Sequence, residues 1–256
     1  MQKKDRVLYY ATDKEERLLL SHIFDNYVKS VTKNHNTYSN FFSEEKTLLI
    51  ESAFGNECDV KFDTYGGYQG AERVISAFLV NEEKKAYPIK CLEITGRDIK
   101  KLSHRDFLGA LMSLGIERDT VGDIIISDKC YVFVKEEIAD YIIFNLSKVG
   151  NVGVSVLEYL GEEIVREEKS EILTVTVESL RLDLILSKAF NIKRSDSVKY
   201  IAAGKATVSA RTVTANDYKV KENDKITLKG KGKVLFLGEK GQSKKGKIIV
   251  SIKKYL

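Results

Sequence analysis

The sequence is short of the residues on which several kinds of chemistry depend. Its 256 residues include three cysteines, Cys58, Cys91 and Cys130, and three histidines, His22, His35 and His104. The cysteines form no CxxC pair, which argues for reduced thiols in a cytosol and against a zinc site. The histidines are too few and too separated to suggest a metal cluster, so neither metal nor cofactor is expected. No run of eighteen apolar residues exists, so no membrane-spanning helix is expected. Met1-Gln2-Lys3-Lys4-Asp5 leads into a polar, acidic helix where a secretory signal would place an apolar core.

Two strings imitate active-site motifs without their context. His104-Arg105-Asp106 looks like a protein-kinase catalytic loop, but Leu111 stands where the metal-binding Asn belongs and no DFG follows. It reads as a helix start. Gly66-Gly67-Tyr68-Gln69-Gly70 is followed by no Lys-Ser/Thr and fits no nucleotide-binding fingerprint. A tight turn with an exposed surface, between Val60–Phe62 and Arg73–Leu79, is the simpler reading.

What the chain does have is charge, unevenly placed. Hydrophobic residues make up 43% and charged residues 31%, a soluble globular balance with length for two or three small domains. Residues 181–256 hold 19 Lys+Arg against 6 Asp+Glu, whereas residues 1–180 hold 23 against 31, so the whole-chain charge of +5 joins a basic module to an acidic one. A compact cationic module is the electrostatic footprint of something that binds phosphate backbones.

In RLDLILSKAF (181–190), Leu182, Ile185, Leu186 and Ala189 recur at helical steps. In KRSDSVKYIAAGKATV (193–208), Ser195 can cap a second helix with Val198 and Ile201 on one face, and Gly204 suits a left-handed terminus. Alternating stretches at 206–208, 225–228, 234–237 and 248–252 follow, giving α-α-β-β-β-β. The Gly- and Lys-rich tail from Lys229 to Lys247 can follow a phosphate surface or serve solubility.

The strings RLDxxL, KRSxxxxxIxxGKxxV and YKVxxxDxI, the last formed by Tyr218, Lys219, Val220, Asp224 and Ile226, resemble the alpha-L RNA-binding domain of ribosomal protein S4. Lys193 departs from a commoner capping Ser, and Ser209-Ala210-Arg211 replaces an Asn-Gly-Lys turn. Independently of that resemblance, Arg181 and Arg194 open the two helices, Lys188, Lys193 and Lys199 lie near them, and Lys205 and Arg211 flank the first strand. Together with Ser195 they are the candidate RNA-binding residues, and Arg181 and Arg194 are the strongest, with Asp183 expected to orient Arg181 or cap its helix. A-form RNA would be gripped by backbone and shape, with phosphates favoured at the helix N-termini.

Residues 87–160 read as β-α-β-β-α-β: a strand from Tyr87 to Ile94, a helix from Ser103 to Leu114 with Ser103 and Asp106 as a capping box, a hairpin over 122–135, a helix from Glu136 to Val149 and a strand from Val152 to Leu160. That order is ferredoxin-like, the topology of RNA-recognition domains. Tyr131 and Phe133 partly overlap the basic-aromatic consensus of such domains, but the acidic surroundings favour packing over base stacking. Upstream, Thr12 and Glu15 suggest a capping box ahead of Leu18, Leu19, Ile23, Phe24 and Val28 on one face, and Ser43 precedes a second helix.

The expected fold class is therefore α+β, with a helical and hairpin region over 1–86, a ferredoxin-like domain over 87–170 and an S4-type domain over 171–256. YGGYQGAER (65–73), HRDFLGALMSLGIERDTVGDI (104–124) and EIADYIIFNLSKVGNV (137–152) resemble the YlmH family of bacterial S4-domain proteins. The resemblance implies a cytoplasmic, ribosome-associated protein that binds structured RNA (rRNA or tRNA), linked to the large subunit and peptidyl-tRNA in quality control of stalled translation, and to cell division. It implies no enzyme. The alternatives are an RNA-modifying enzyme and a division-machinery scaffold that binds a protein through its acidic region. Gly96-Arg97-Asp98 lacks the order a pseudouridine synthase needs, and no glycine-rich methyltransferase loop is present.

Overall fold

The computed structural model describes residues 3–55, 58–162, 164, 170–209, 211–244 and 246–255. It divides into two compact units, Met1–Arg166 and Glu167–Leu256. Mixed helix and antiparallel sheet in both units is the expected α+β class.

The first unit begins with α1 (Lys3–Leu8) and α2 (Lys14–Lys33). Asp13, not Thr12, caps α2: its carboxylate accepts the Glu16 amide at 2.9 Å, while Glu16 accepts from the Thr12 amide and hydroxyl at 2.7 and 2.8 Å. The helix turns Leu20, Ile23 and Tyr27 inward and leaves Leu18 and Val28 exposed, correcting the expected apolar face. Ser43 precedes α3 (Glu44–Phe54) as expected. A sheet of β1 (Thr37–Phe42), β2 (Lys61–Tyr65) and β3 (Val74–Leu79) runs in the order β1-β3-β2, all antiparallel. The hairpin of β2 and β3 matches expectation; β1 was not foreseen. Because β3 alternates, Phe78 joins the helices' core while Ile75 faces the opposite way.

Next come β4 (Ile89–Gly96), α4 (His104–Ser113), β5 (Val121–Ile126), β6 (Cys130–Lys135), α5 (Glu136–Asn145), β7 (Lys148–Val149) and β8 (Val152–Glu158). Asp106 accepts hydrogen bonds from the Ser103 amide and hydroxyl at 2.8 and 2.7 Å, so His104 and Asp106 do open a helix, and Gly115 takes the left-handed φ of 79° just beyond it. The sheet order β5-β6-β4-β8-β7, antiparallel throughout, interleaves two βαβ units in the ferredoxin-like manner. Helix α5 stops short of the expected Val149 because Lys148 and Val149 pair with β8 instead.

One face of this sheet buries Leu92, Ile94, Val132 and Val134 against Phe107 and Leu111 of α4 and Ala139 and Ile142 of α5. On the other face, Phe133, Ile89, Cys91 and Ile125 cluster with Phe41, Tyr68 and Ile75 from the preceding region. Residues 1–86 and the ferredoxin-like segment thus share a core within one unit.

The second unit comprises β9 (Ser170–Val177), α6 (Leu182–Ala189), α7 (Arg194–Ala202), β10 (Ala206–Val208), β11 (Arg211–Thr212), β12 (Lys225–Leu228), β13 (Gly232–Gln242) and β14 (Ile248–Tyr255). The sheet order is β11-β10-β12-β13-β14-β9. The expected α-α-β-β-β-β series is present, with β9 and β11 added at the two sheet edges. Leu182, Ile185, Leu186 and Ala189 of α6 and Ile201 of α7 are buried against Ile226, Leu228, Val234, Phe236, Val250 and Ile252. Gly204 ends α7 with φ 65°. The cap of α7 is Lys193, whose carbonyl accepts the Asp196 and Ser197 amides at 2.9 and 3.1 Å, so Ser195 lies inside the first turn and does not cap it.

Candidate nucleic-acid interface

The charged centre of the second unit is built around a sunken carboxylate. Asp183, on the first turn of α6, has a side chain only 1% exposed. Arg181 donates to it through Nε at 3.0 Å and Nη2 at 3.2 Å, and Arg194 donates through Nε at 2.9 Å from the start of α7. Burial alone would raise the Asp183 pKa, but the hydrogen bonds and charges of Arg181 and Arg194 outweigh it and hold the carboxyl below its ordinary value. Ser197 completes the junction by donating its hydroxyl to the Asp183 carbonyl at 2.8 Å, which ties α6 to α7. The two arginines remain 37% and 52% exposed. Arg194 commits one of its five N–H donors to Asp183, so the rest of its fork is available to an oxyanion.

Asp183 therefore orients both arginines rather than capping a helix. The N-terminus of α6 is also closed to an anion, contrary to expectation: the Leu182 and Asp183 amides donate to the Tyr218 and Asn216 carbonyls at 2.9 and 3.3 Å. At α7 the first turn is open, with Ser195 exposed beside Lys193 and Arg194.

The other candidate cations distribute around this centre. Lys188 is exposed in the last turn of α6, and Arg211 is exposed on β11. The Ser209-Ala210-Arg211 turn includes Ala210, which lies outside the described residues; Ser209 itself adopts φ 46° and donates to Asp224 at 2.8 Å. Lys199 and Lys205 come together at a groove of about 370 Å³, lined also by Asp196, Tyr200 and Lys231. Ile192 and Ala203 complete its apolar wall. Lys205 Nζ sits 5.6 Å from the Tyr200 ring centroid. Lys231 was visible in the sequence as part of the KGKGK run, but nothing local places it beside α7.

In the first unit, the residues that resemble nucleotide or RNA motifs serve packing. Gly67 has φ 100°, and a Cβ there would collide with the Phe133 ring, so the glycine is required by close approach. Tyr68 stacks on Phe133 with centroids 4.8 Å apart and donates its hydroxyl to Asp123 at 2.7 Å. Asp123 also accepts the Glu72 and Arg73 amides at 2.7 and 3.2 Å. Arg73 donates to the carbonyls of Val121, Phe41 and Arg118 at 3.0, 3.1 and 3.3 Å. Burial, then the neighbouring Arg118 charge, push its pKa down to about 10, with Asp123 pulling the other way. The expected glycine turn is thus a clamp that fastens the β2–β3 hairpin onto β5 and β6. Phe133 is 3% exposed and packed, as the sequence reading had it; Tyr131 lies edge-on to Tyr159 at 4.9 Å and is half-buried.

No His/Cys/Asp/Glu group able to hold a metal occurs among the described residues, and no described helix is long and apolar enough to cross a membrane.

Residues 82–163 match the family model described as a putative RNA-binding domain in YlmH. Over that segment the chain is similar to YlmH. The "Ribosome-associated protein quality control protein P2" of Bacillus subtilis (strain 168) is 26% identical over 246 residues, spanning 94% of this chain and 95% of the relative. A solved structure of the cell division protein YlmH from Streptococcus pneumoniae, 17% identical, superposes with a TM-score of 0.50 over 58% of this chain and 93% of its own, a likeness of fold. The matched segment is the ferredoxin-like domain, and it is acidic, with 11 Lys+Arg against 15 Asp+Glu. One side of its open sheet face is occupied by the Tyr68 clamp.

Proposed function

We propose that this chain binds structured RNA, rRNA or tRNA, on the ribosome without catalysing a reaction on it, and that the basic second unit is where the phosphate backbone is held. The observation that carries this is the buried Asp183 between two half-exposed arginines, in the module that holds the chain's positive excess. A carboxylate removed from solvent fixes two guanidinium groups at the α6–α7 junction without occupying all their donors, which is what recognition of phosphate by charge and shape needs. Lys188, Lys193, Ser195, Lys199, Lys205 and Arg211 extend the surface around Arg181 and Arg194, in keeping with the S4-type resemblance.

The name of the B. subtilis relative supports a ribosomal setting. Within that setting the reading is a cytoplasmic protein acting at the large subunit beside peptidyl-tRNA, in quality control of stalled translation. The acidic ferredoxin-like domain would then contribute shape and protein contacts more than phosphate attraction.

The test is binding of the whole chain to a structured RNA hairpin across a salt series. Steep salt dependence is expected, and Arg194→Ala should weaken binding and lower the slope of log K against log salt by about one, because one fewer counterion is released. Unchanged affinity and slope in Arg194→Ala and Lys193→Ala would overturn the assignment of this surface. Crosslinking in cells with sequencing of the bound RNA identifies the ribosomal element.

A further inference from the structure

The groove beside α7 is distinct from the arginine centre and differs from it in kind. Lys199, Lys205 and Lys231 border it with no ion pair to any described residue. Asp196 stands among them, and its carboxylate too has no hydrogen bond or ion pair among the described residues. Between these charges lies apolar and aromatic surface from Ile192, Tyr200 and Ala203. A surface made only for duplex backbone would need the cations and not the concavity. Its volume, about 370 Å³, is near the lower end of small-ligand sites, roughly 300–1,000 Å³, and too small for a duplex segment.

We propose that this groove takes a single unstacked nucleotide of the bound RNA. The base lies against Tyr200 and the aliphatic wall, the adjoining phosphate meets the lysine ammonium groups, and Asp196 accepts an N–H from the base edge. Each element has a physical reason. Every base has a π-face that an aromatic ring can stack on, whatever its sequence. Lysine serves phosphate as a flexible point charge, so three from different segments can converge on one group. A carboxylate can accept from amino and imino groups and repels unpartnered phosphate, which sets which end of the nucleotide faces it. The inference rests on the RNA-binding reading above and adds to it a preference for RNA with an extruded base over an uninterrupted duplex.

The experiment compares the full-length protein on two RNA hairpins, identical except that one carries a single bulged nucleotide. The native chain should bind the bulged hairpin more tightly, by about tenfold if stacking contributes as it does elsewhere. Tyr200→Ala should abolish that preference and leave affinity for the plain hairpin unchanged, while Tyr200→Phe retains it. Because Tyr200 also packs against the unit's core, the surface double variant Lys199→Ala/Lys231→Ala supplies a second measure, expected to reduce the preference without lowering the melting temperature. A native chain that binds both hairpins alike overturns the groove assignment and leaves the arginine surface standing. Binding to neither hairpin overturns both. Adenosine and uridine monophosphates carry the same chemistry and separate the sources: competition only at millimolar concentration is expected, and micromolar saturation would make the ligand a free nucleotide and overturn the RNA assignment.

Discussion

Both units of this chain set arginine near a buried aspartate, and they spend the arginine's donors differently. In the first, Arg73 is half-buried and its guanidinium donates to three backbone carbonyls, while Asp123, 8% exposed, is taken up by Tyr68 and two amides. In the second, the carboxylate is sunk and Arg181 and Arg194 reach outward from it. Spending the guanidinium donors on backbone carbonyls uses them inside the protein, so the cluster becomes architecture. Pairing the arginines with a buried aspartate fixes them and leaves donors facing solvent, so the cluster can offer them to an anion. What accepts from the guanidinium, backbone carbonyls or a buried carboxylate, distinguishes the two.

The largest expected effect separates the units themselves. Residues 167–256 should retain most of the affinity for structured RNA, and residues 1–166 should bind on the order of a hundredfold or more weaker at physiological salt. Equal binding in a gel-shift titration would erase the comparison. Next in size, Asp123→Ala should destabilise the first unit by about 3 kcal/mol, since it leaves the Tyr68 hydroxyl and the Glu72 and Arg73 amides without their acceptor. Denaturant unfolding measures the loss, and RNA affinity should stay unchanged.

Smaller and more diagnostic are the arginine variants. Arg181→Ala or Arg194→Ala alone leaves Asp183 one arginine and should cost little stability, whereas the double variant leaves a carboxylate 1% exposed without either partner and should cost about 3 kcal/mol. Additive losses in thermal unfolding would show that the arginines do not share Asp183. A pH series sharpens this. The Asp183 pKa is depressed in the folded state, so its contribution is fully present above the unfolded value, about 3.9, and is lost as pH falls through the folded one. The stability advantage over Asp183→Asn at pH 7 should therefore shrink below about pH 4. The smallest effect belongs to the catalytic look-alikes: Asp98→Asn and His104→Ala should leave RNA binding intact. Mass spectrometry of total RNA incubated with the protein should reveal no new nucleoside, and one that vanishes in Asp98→Asn would make the chain an enzyme.

What the sequence disclosed was whatever depends on neighbours along the chain. Leu182, Ile185 and Leu186 mark α6, Gly204 ends α7, and Asp106 returns to Ser103, because each is set within one or two turns of backbone. The ferredoxin-like order followed from alternation and spacing in the same way. The misses are non-local or single-residue shifts. Strand β9 exists through pairing with β14, from Val177 opposite Ile248 to Ser170 opposite Tyr255, more than seventy residues away. Strand β1 begins with the polar Thr37-Tyr38-Ser39-Asn40 and is held by β3. Thr12 and Asp13 are both good caps, and Leu18, Leu19 and Leu20 are equally apolar, so the local pattern did not single out Leu20 over Leu18 as the buried one. At the candidate site the arginines were legible from motif position, but Asp183 as their common acceptor and Lys231 as a wall of the groove required the fold.

The clamp around Phe133 bears on how this protein can be divided. The recognisable domain starts at residue 82, yet Phe133, Ile89 and Ile125 on its sheet are covered by Phe41, Tyr68 and Ile75, all upstream of that point. A fragment cut at the boundary of sequence similarity would present a bare aromatic and aliphatic sheet face to solvent, the kind of surface that drives strands of separate molecules together. Such a fragment would be expected to aggregate, or to bind nucleic acid and protein through a face the intact chain keeps closed. Work on the isolated domain should therefore carry the chain from its first helix.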